Sequence, residues 1–92
     1  DWGDAVHPSA VVHPAAVVDP TARIEPRAVI GRGARIGARS RIMAGVVVEH
    51  DAEIGEDCIV HPGAVIGYGC RLGREVHVGA GSVIGSDGFG FA

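Results

Sequence analysis

Histidines are the side chains of this sequence best suited to chemistry near neutral pH, because an imidazole can act as a general base or bind a metal ion. Zn²⁺ needs three or four ligands around one point, and the spacing along the chain brings no three histidines together. We therefore predict no metal site within one chain, which leaves open only a site shared between subunits. The five histidines are His7, His13, His50, His61 and His77.

His50 has the most suggestive neighbours of the five. It lies between Glu49 and Asp51, and a carboxylate can hold an imidazole in the orientation of a base. Adjacent residues of a strand point to opposite sides, however, which weakens that pairing. We predict His50 as an accessory residue at most, and we interpret His77 as a lone outward side chain.

The other three histidines are predicted to have a structural role. His7, His13 and His61 are each followed by a proline, which fixes the backbone φ and favours a turn. They also occupy the same position of a repeat that runs through the whole chain.

The repeat is an aliphatic residue at every sixth position. A period of six does not fit an α-helix, whose apolar stripe recurs near 3.6 residues, but it fits a short strand followed by a corner. Four residues after each aliphatic position, from Ala10 to Gly88, stands Ala, Ser, Cys, Val or Gly. The fourteen aliphatic positions are Val6, Val12, Val18, Ile24, Ile30, Ile36, Ile42, Val48, Ile54, Val60, Ile66, Leu72, Val78 and Ile84.

Three such hexads predict one triangular coil of eighteen residues, so that residues eighteen apart stack about 4.8 Å from each other. The corners are predicted three residues after the aliphatic position, because Gly or Asp, which tolerate positive φ, stands there in eight hexads. The predicted inward columns are Val6, Ile24, Ile42, Val60 and Val78; Val12, Ile30, Val48, Ile66 and Ile84; and Val18, Ile36, Ile54 and Leu72.

The repeat also predicts the domain organisation. Residues 1–5 are interpreted as the remnant of a linker and residues 6–86 as the repeat domain. Residues 87–92 are predicted to form a loop, because the next inward aliphatic position is Gly90.

Composition excludes several kinds of partner. The formal net charge is −3, whereas general nucleic-acid binding depends on a basic excess. No apolar stretch is long enough to cross a membrane, so we expect neither a nucleic-acid partner nor an integral membrane segment. The cysteines, Cys58 and Cys70, are interpreted as free thiols in a reducing compartment.

The repeat resembles the hexapeptide pattern [LIV]-G-x-x-A-x of the hexapeptide-repeat acyltransferases. This resemblance implies an all-β fold, a left-handed parallel β-helix with triangular coils, whose hand the periodicity alone does not give. Residues 84–92, I-G-S-D-G-F-G-F-A, resemble the UDP-3-O-acylglucosamine N-acyltransferases of lipid A biosynthesis. Residues 6–22 resemble the first coils of the UDP-sugar acyltransferases of lipid A synthesis more broadly, an opening that several relatives share. Residues 48–55 are similar to the N-acyltransferases, which usually have an aromatic residue where Glu49 stands.

The resemblance implies a function in the bacterial cytoplasm. An acyl-carrier-protein-dependent N-acyltransferase would act on UDP-3-O-acylglucosamine as a homotrimer, without a cofactor. Asp87, Phe89 and Phe91 are the substrate-binding residues that it implies. The family's catalytic histidine stands in an A-H-N motif that these residues lack, so the chain is expected to be a fragment of the β-helix that is inactive alone.

Two alternatives remain open at this point. The chain could be a structural solenoid that mediates trimerisation and has no activity of its own, or another left-handed β-helix enzyme, such as an O-acyltransferase or a protein similar to carbonic anhydrase. The cluster of arginines between Arg23 and Arg41 could be a solvated face or an anion-binding stripe. The acidic residues between Glu49 and Asp57 could pair with it across a trimer interface.

Overall fold

The fold is built from very short strands. The computed structural model describes residues 5–85, and within them there are thirteen strands of two residues each and no helix. The strands are β1 (Val11–Val12), β2 (Val17–Val18), β3 (Arg23–Ile24), β4 (Val29–Ile30), β5 (Arg35–Ile36), β6 (Arg41–Ile42), β7 (Val47–Val48), β8 (Glu53–Ile54), β9 (Ile59–Val60), β10 (Val65–Ile66), β11 (Arg71–Leu72), β12 (His77–Val78) and β13 (Val83–Ile84).

Each strand pairs in parallel with the strand three places later, which produces three sheets around one axis. The first face consists of β1-β4-β7-β10-β13, the second of β2-β5-β8-β11 and the third of β3-β6-β9-β12. The register joins residues eighteen apart, as in Ile24 with Ile42, and an isolated bridge joins Val6 to Ile24. All three predicted columns are confirmed, and the chain is the predicted left-handed parallel β-helix of about four turns.

The core is a stack of aliphatic layers with small residues at the corners. Ile24, Ile42 and Val60 are completely buried, as are the small Ala28 and Ala52. A branched side chain fills the middle of each side, and a small one fits the narrow corner, which is why the two residue types alternate along the chain. Most inward aliphatic residues near the two ends of the described range are only partly buried, namely Val6, Val12, Val18, Leu72 and Ile84.

The corners confirm the predicted turn positions. Gly33, Gly45, Gly63, Gly69, Gly81, Asp51 and Asp57 all have positive φ, and the remaining predicted position, Asp87, lies outside the described residues. Arg27, Arg39 and Glu75 also have positive φ, which their residue types did not predict. The neighbouring coil helps to stabilise this conformation, because the N–H of Glu75 donates to the carbonyl of Glu56 at 2.9 Å.

A column of glycines lets successive coils approach closely at the corner after the second face. A Cβ on Gly37 would lie 2.6 Å from the carbonyl carbon of Gly55, and a Cβ on Gly55 would meet the carbonyl oxygen of Gly73. Side chains are therefore excluded from Gly37 and Gly55, and this part of the surface is bare backbone.

Ser40 is a buried polar residue that replaces a missing turn hydrogen bond in the coil above it. Its hydroxyl accepts from the N–H of Cys58 at 3.0 Å and donates to the carbonyl of Gly55 at 2.6 Å. In other corners the equivalent N–H and carbonyl bind each other directly, as Ala34 and Gly31 do. The hydroxyl of Ser40 thus satisfies two backbone groups inside a coil that contributes no hydroxyl of its own.

Ser40→Ala should lower the free energy of unfolding by about 1–3 kcal/mol, because it leaves a buried N–H and a partly buried carbonyl without the hydroxyl that binds them. Chemical denaturation measures this value. Ser82→Ala is the matched control, since Ser82 has the corresponding small position in a half-buried setting of the last described coil. Equal stabilities of the two variants would contradict the bridging role of Ser40.

Candidate functional site

The predicted substrate-binding residues cannot be placed. Asp87, Phe89 and Phe91, together with the loop predicted over 87–92, lie outside the described residues, as do residues 1–4 of the predicted linker remnant. Their roles stay predictions.

His50 lies on an exposed corner, stacked on the next coil. Its ring is parallel to that of Tyr68, with centroids 5.3 Å apart and an interplanar angle of 2°. The carboxylate of Glu49, which could have oriented His50, accepts a hydrogen bond from the backbone N–H of Tyr68 at 3.1 Å instead. The accessory role predicted for His50 therefore has no orienting carboxylate in the described contacts, and it stays a prediction.

His7 and His13 close the corners of the first coil. The Nδ1 atom of His7 accepts from the N–H of Ser9, and that of His13 accepts from the N–H of Ala15, both at 3.0 Å. Asp19 does the same at the third corner, where its carboxylate accepts from the N–H and hydroxyl of Thr21. These three side chains cap turns, in agreement with the structural role predicted for the two histidines.

His61 and His77 come closer together than their spacing suggests. Their ring centroids are 6.2 Å apart, with an interplanar angle of 55°. Sixteen residues separate them, so they do not stack directly. The side chain of His61, at the corner after β9, nevertheless lies near His77, the outward residue of β12 in the next coil. Residues 5–85 contain no group of three or more His, Cys, Asp or Glu side chains that could hold a metal ion.

Arginines and carboxylates pair within the chain, along the coil axis. Arg39 makes a bidentate contact with Asp57, with distances of 2.8 and 3.0 Å. The Nε atom of Arg41 donates to Glu25 at 2.6 Å. Acidic residues between Glu49 and Asp57 therefore pair with arginines in neighbouring coils of the same chain. The sequence had left open that they pair with arginines of another subunit. Further pairs are Arg39–Glu56, Arg71–Glu53 and Arg74–Glu56.

These contacts change the acidity of three exposed groups. The hydrogen bond from Arg39 lowers the pKa of Asp57, and the same bond raises the pKa of Arg39. The hydrogen bonds that Asp19 accepts from Thr21 lower the pKa of Asp19. Each carboxylate is therefore stabilised in its charged form in the folded state.

Asp57→Asn should make stability less sensitive to acid. A carboxylate whose folded pKa lies below its ordinary value of 3.8 stabilises the fold fully above that value, and the contribution is lost as the pH falls through the folded pKa. Thermal melts from about pH 5 to about pH 2 should therefore decline more steeply for the unmodified chain than for Asp57→Asn. Asp51→Asn, at an equivalent positive-φ corner, is the control. Identical slopes for all three proteins would refute the contribution of this pair.

The first face carries an uninterrupted column of valines. Val11 and Val83 are each 61% exposed, Val29 is 38% exposed, and Val47 and Val65 are half-buried. We call these five residues the valine face. The outward columns of the other two faces contain charged or titratable residues. They are Val17, Arg35, Glu53 and Arg71 on the second face, and Arg23, Arg41, Ile59 and His77 on the third.

A shallow groove of about 290 Å³ runs along the second face. Gly37 and Gly55 line it where side chains are missing, and Val17, Arg35 and Glu53 stand beside it. Among residues 5–85 the groove has a largely apolar lining with one basic side chain, Arg35, and two acidic ones, Asp19 and Glu53.

The stacked hexads and the three parallel sheets define a hexapeptide-repeat β-solenoid domain. The chain belongs to the family described as the GMPPB C-terminal domain, whose model matches residues 5–88. No curated protein matches the chain. Among residues 5–85 there is also no helix long and apolar enough to cross a membrane.

Proposed function

We propose that this chain is an assembly domain, a rigid β-helix that packs against copies of itself through the valine face to form a homotrimer. The observation that carries the proposal is the valine face, in which every outward strand residue of one sheet is apolar. Burying aliphatic side chains is the main favourable term in association, and an exposed apolar face of this kind commonly marks an interaction site.

A second copy of the chain suits this face because its repeat is the same. The outward valines recur once per coil, about 4.8 Å apart along the axis. A copy with a parallel axis presents side chains at the same spacing, so each apolar row can pack into the gaps between rows of its neighbour. A partner without this period would match the face at only one or two positions.

The other two faces are less suited to such packing. Arg35, Glu53 and Arg71 follow each other along the second face, and Arg23 stacks on Arg41 on the third. Covering these faces would require charged side chains to leave water, which is costly even for those that have an ion-pair partner. The valine face has no such requirement in its strand column.

Val47→Lys should convert the assembly to a monomer, because it places a charge at the middle of the valine face. Val17→Lys, at an exposed outward valine on the second face, should keep the threefold mass. Light scattering across a concentration series measures both. A monomeric unmodified chain at high concentration, or equal dissociation of the two variants, would disprove this proposal.

A second candidate function is N-acyl transfer from an acyl carrier protein to UDP-3-O-acylglucosamine. The observation that favours it is the string I-G-S-D-G-F-G-F-A at residues 84–92, which resembles that family of acyltransferases. In this proposal the substrate amine attacks the thioester carbonyl and a histidine outside these residues accepts the amine proton. The C–S bond breaks, so that the amide forms and the carrier's thiol leaves, while the stretch from Asp87 to Phe91 contacts the substrate. The valine face would then hold the subunits of the enzyme together.

A chimera tests this candidate, with residues 6–92 replacing the corresponding coils of an N-acyltransferase. It should retain acyl transfer, and Phe89→Ala and Phe91→Ala in the chimera should each lower kcat/KM by about tenfold or more. Val17→Ala, at an exposed outward position of the second face and outside the valine face, is the control. A chimera that forms trimers without transferring the acyl group would refute the acyltransferase function and leave the assembly function intact.

A further inference from the structure

We propose that His61 and His77 form a surface binding site for a transition metal ion, with copper as the preferred metal. The site is independent of the assembly proposed above, because His77 belongs to the third face and not to the valine face. The two side chains come from successive coils, so the site exists only in the folded solenoid.

The distance between the rings fits one shared metal ion. A metal lies about 2.0–2.1 Å from an imidazole nitrogen, which places it about 3.2 Å from the ring centroid. Two imidazoles can therefore share an ion when their centroids are up to about 6.4 Å apart, and the observed separation is 6.2 Å. With the exposed His77 ring turned toward His61, the two nitrogens would approach the ion from nearly opposite sides, and solvent water would complete the coordination.

These two histidines are the ones whose rings neither cap a turn nor stack on Tyr68. His7 and His13 use Nδ1 to cap turns, and His50 stacks on Tyr68. Within residues 5–85, neither the His61 ring nor the His77 ring has a hydrogen-bond partner. His77 is exposed and His61 is half-buried, so a metal ion can reach both from solvent.

The residues around the pair favour copper. Ile42 pairs with Val60 in the sheet. The residues that follow them, Met43 and His61, therefore stack at the same corner, with Met43 one coil below. A thioether is a soft ligand that suits Cu⁺, whereas imidazole suits Cu²⁺, Ni²⁺ and Zn²⁺, among which Cu²⁺ binds most tightly at a given site. No carboxylate lies below His77, because its neighbour in the sheet is Ile59.

Calorimetric titration of the full chain with Cu²⁺ tests the proposal, and electron paramagnetic resonance reports whether nitrogen atoms bind the ion. We expect one Cu²⁺ per chain with micromolar affinity and a weaker response to Ni²⁺ and Zn²⁺. His61→Gln and His77→Gln should each weaken Cu²⁺ binding by about tenfold or more. Met43→Leu should leave Cu²⁺ affinity unchanged and weaken the binding of Cu⁺, measured by competition with a chromogenic chelator.

The control is His50→Gln, which removes another exposed imidazole and should not change the affinity. Thermal melts verify that each variant is folded. If His61→Gln does not fold, His77→Gln alone is a sufficient test, because the side chain of His77 is exposed. The proposal is overturned if the unmodified chain binds no Cu²⁺, if His77→Gln binds it as tightly as the unmodified chain, or if His50→Gln causes the same loss.

Discussion

The constraint on which this structure depends is that every coil must have the same length, so that each backbone group meets its partner in the next coil. The N–H of Gly37 donates to the carbonyl of Ile54 at 2.7 Å, and the corresponding bond to the next coil follows every strand from β1 to β10. This ladder fixes the aliphatic columns, because residues eighteen apart are held one above the other. Burial of Ile36, Ile54 and their equivalents then stabilises the ladder.

The sequence was sufficient to predict the features that depend on the six-residue repeat. The inward columns follow from the aliphatic residues, and most of the corners follow from glycine and aspartate. It was not sufficient for Arg27, Arg39 and Glu75, whose positive φ is imposed by the corner and by hydrogen bonds to the neighbouring coil rather than favoured by the residue itself. The bridge made by Ser40 was not predicted either. It depends on the conformation of a corner in the neighbouring coil, which the residue types there do not indicate.

The same reasoning explains what could be predicted about the candidate sites. The proline that follows His7 and His13 pointed correctly to turns. A separation of sixteen residues places His61 and His77 near the same face but out of register, and the close approach of their rings was not predicted, because it depends on how the two side chains leave the backbone. The pairing of Arg39 with Asp57 agrees with their separation of eighteen residues. The sequence alone was also compatible with pairing across a subunit interface, and the structure shows that this pair forms within the chain.

The valine face also constrains how the length of this domain can change. Loss or gain of eighteen residues removes or adds a whole coil, and every downstream side chain keeps its face. Loss or gain of a single hexad would still preserve the aliphatic interior, yet it would turn everything that follows by a third of a revolution and move Val65 and Val83 to another side of the prism. Insertions or deletions of any whole hexad preserve the aliphatic core. Only those of three hexads, or a multiple of three, also keep each outward side chain on its own face.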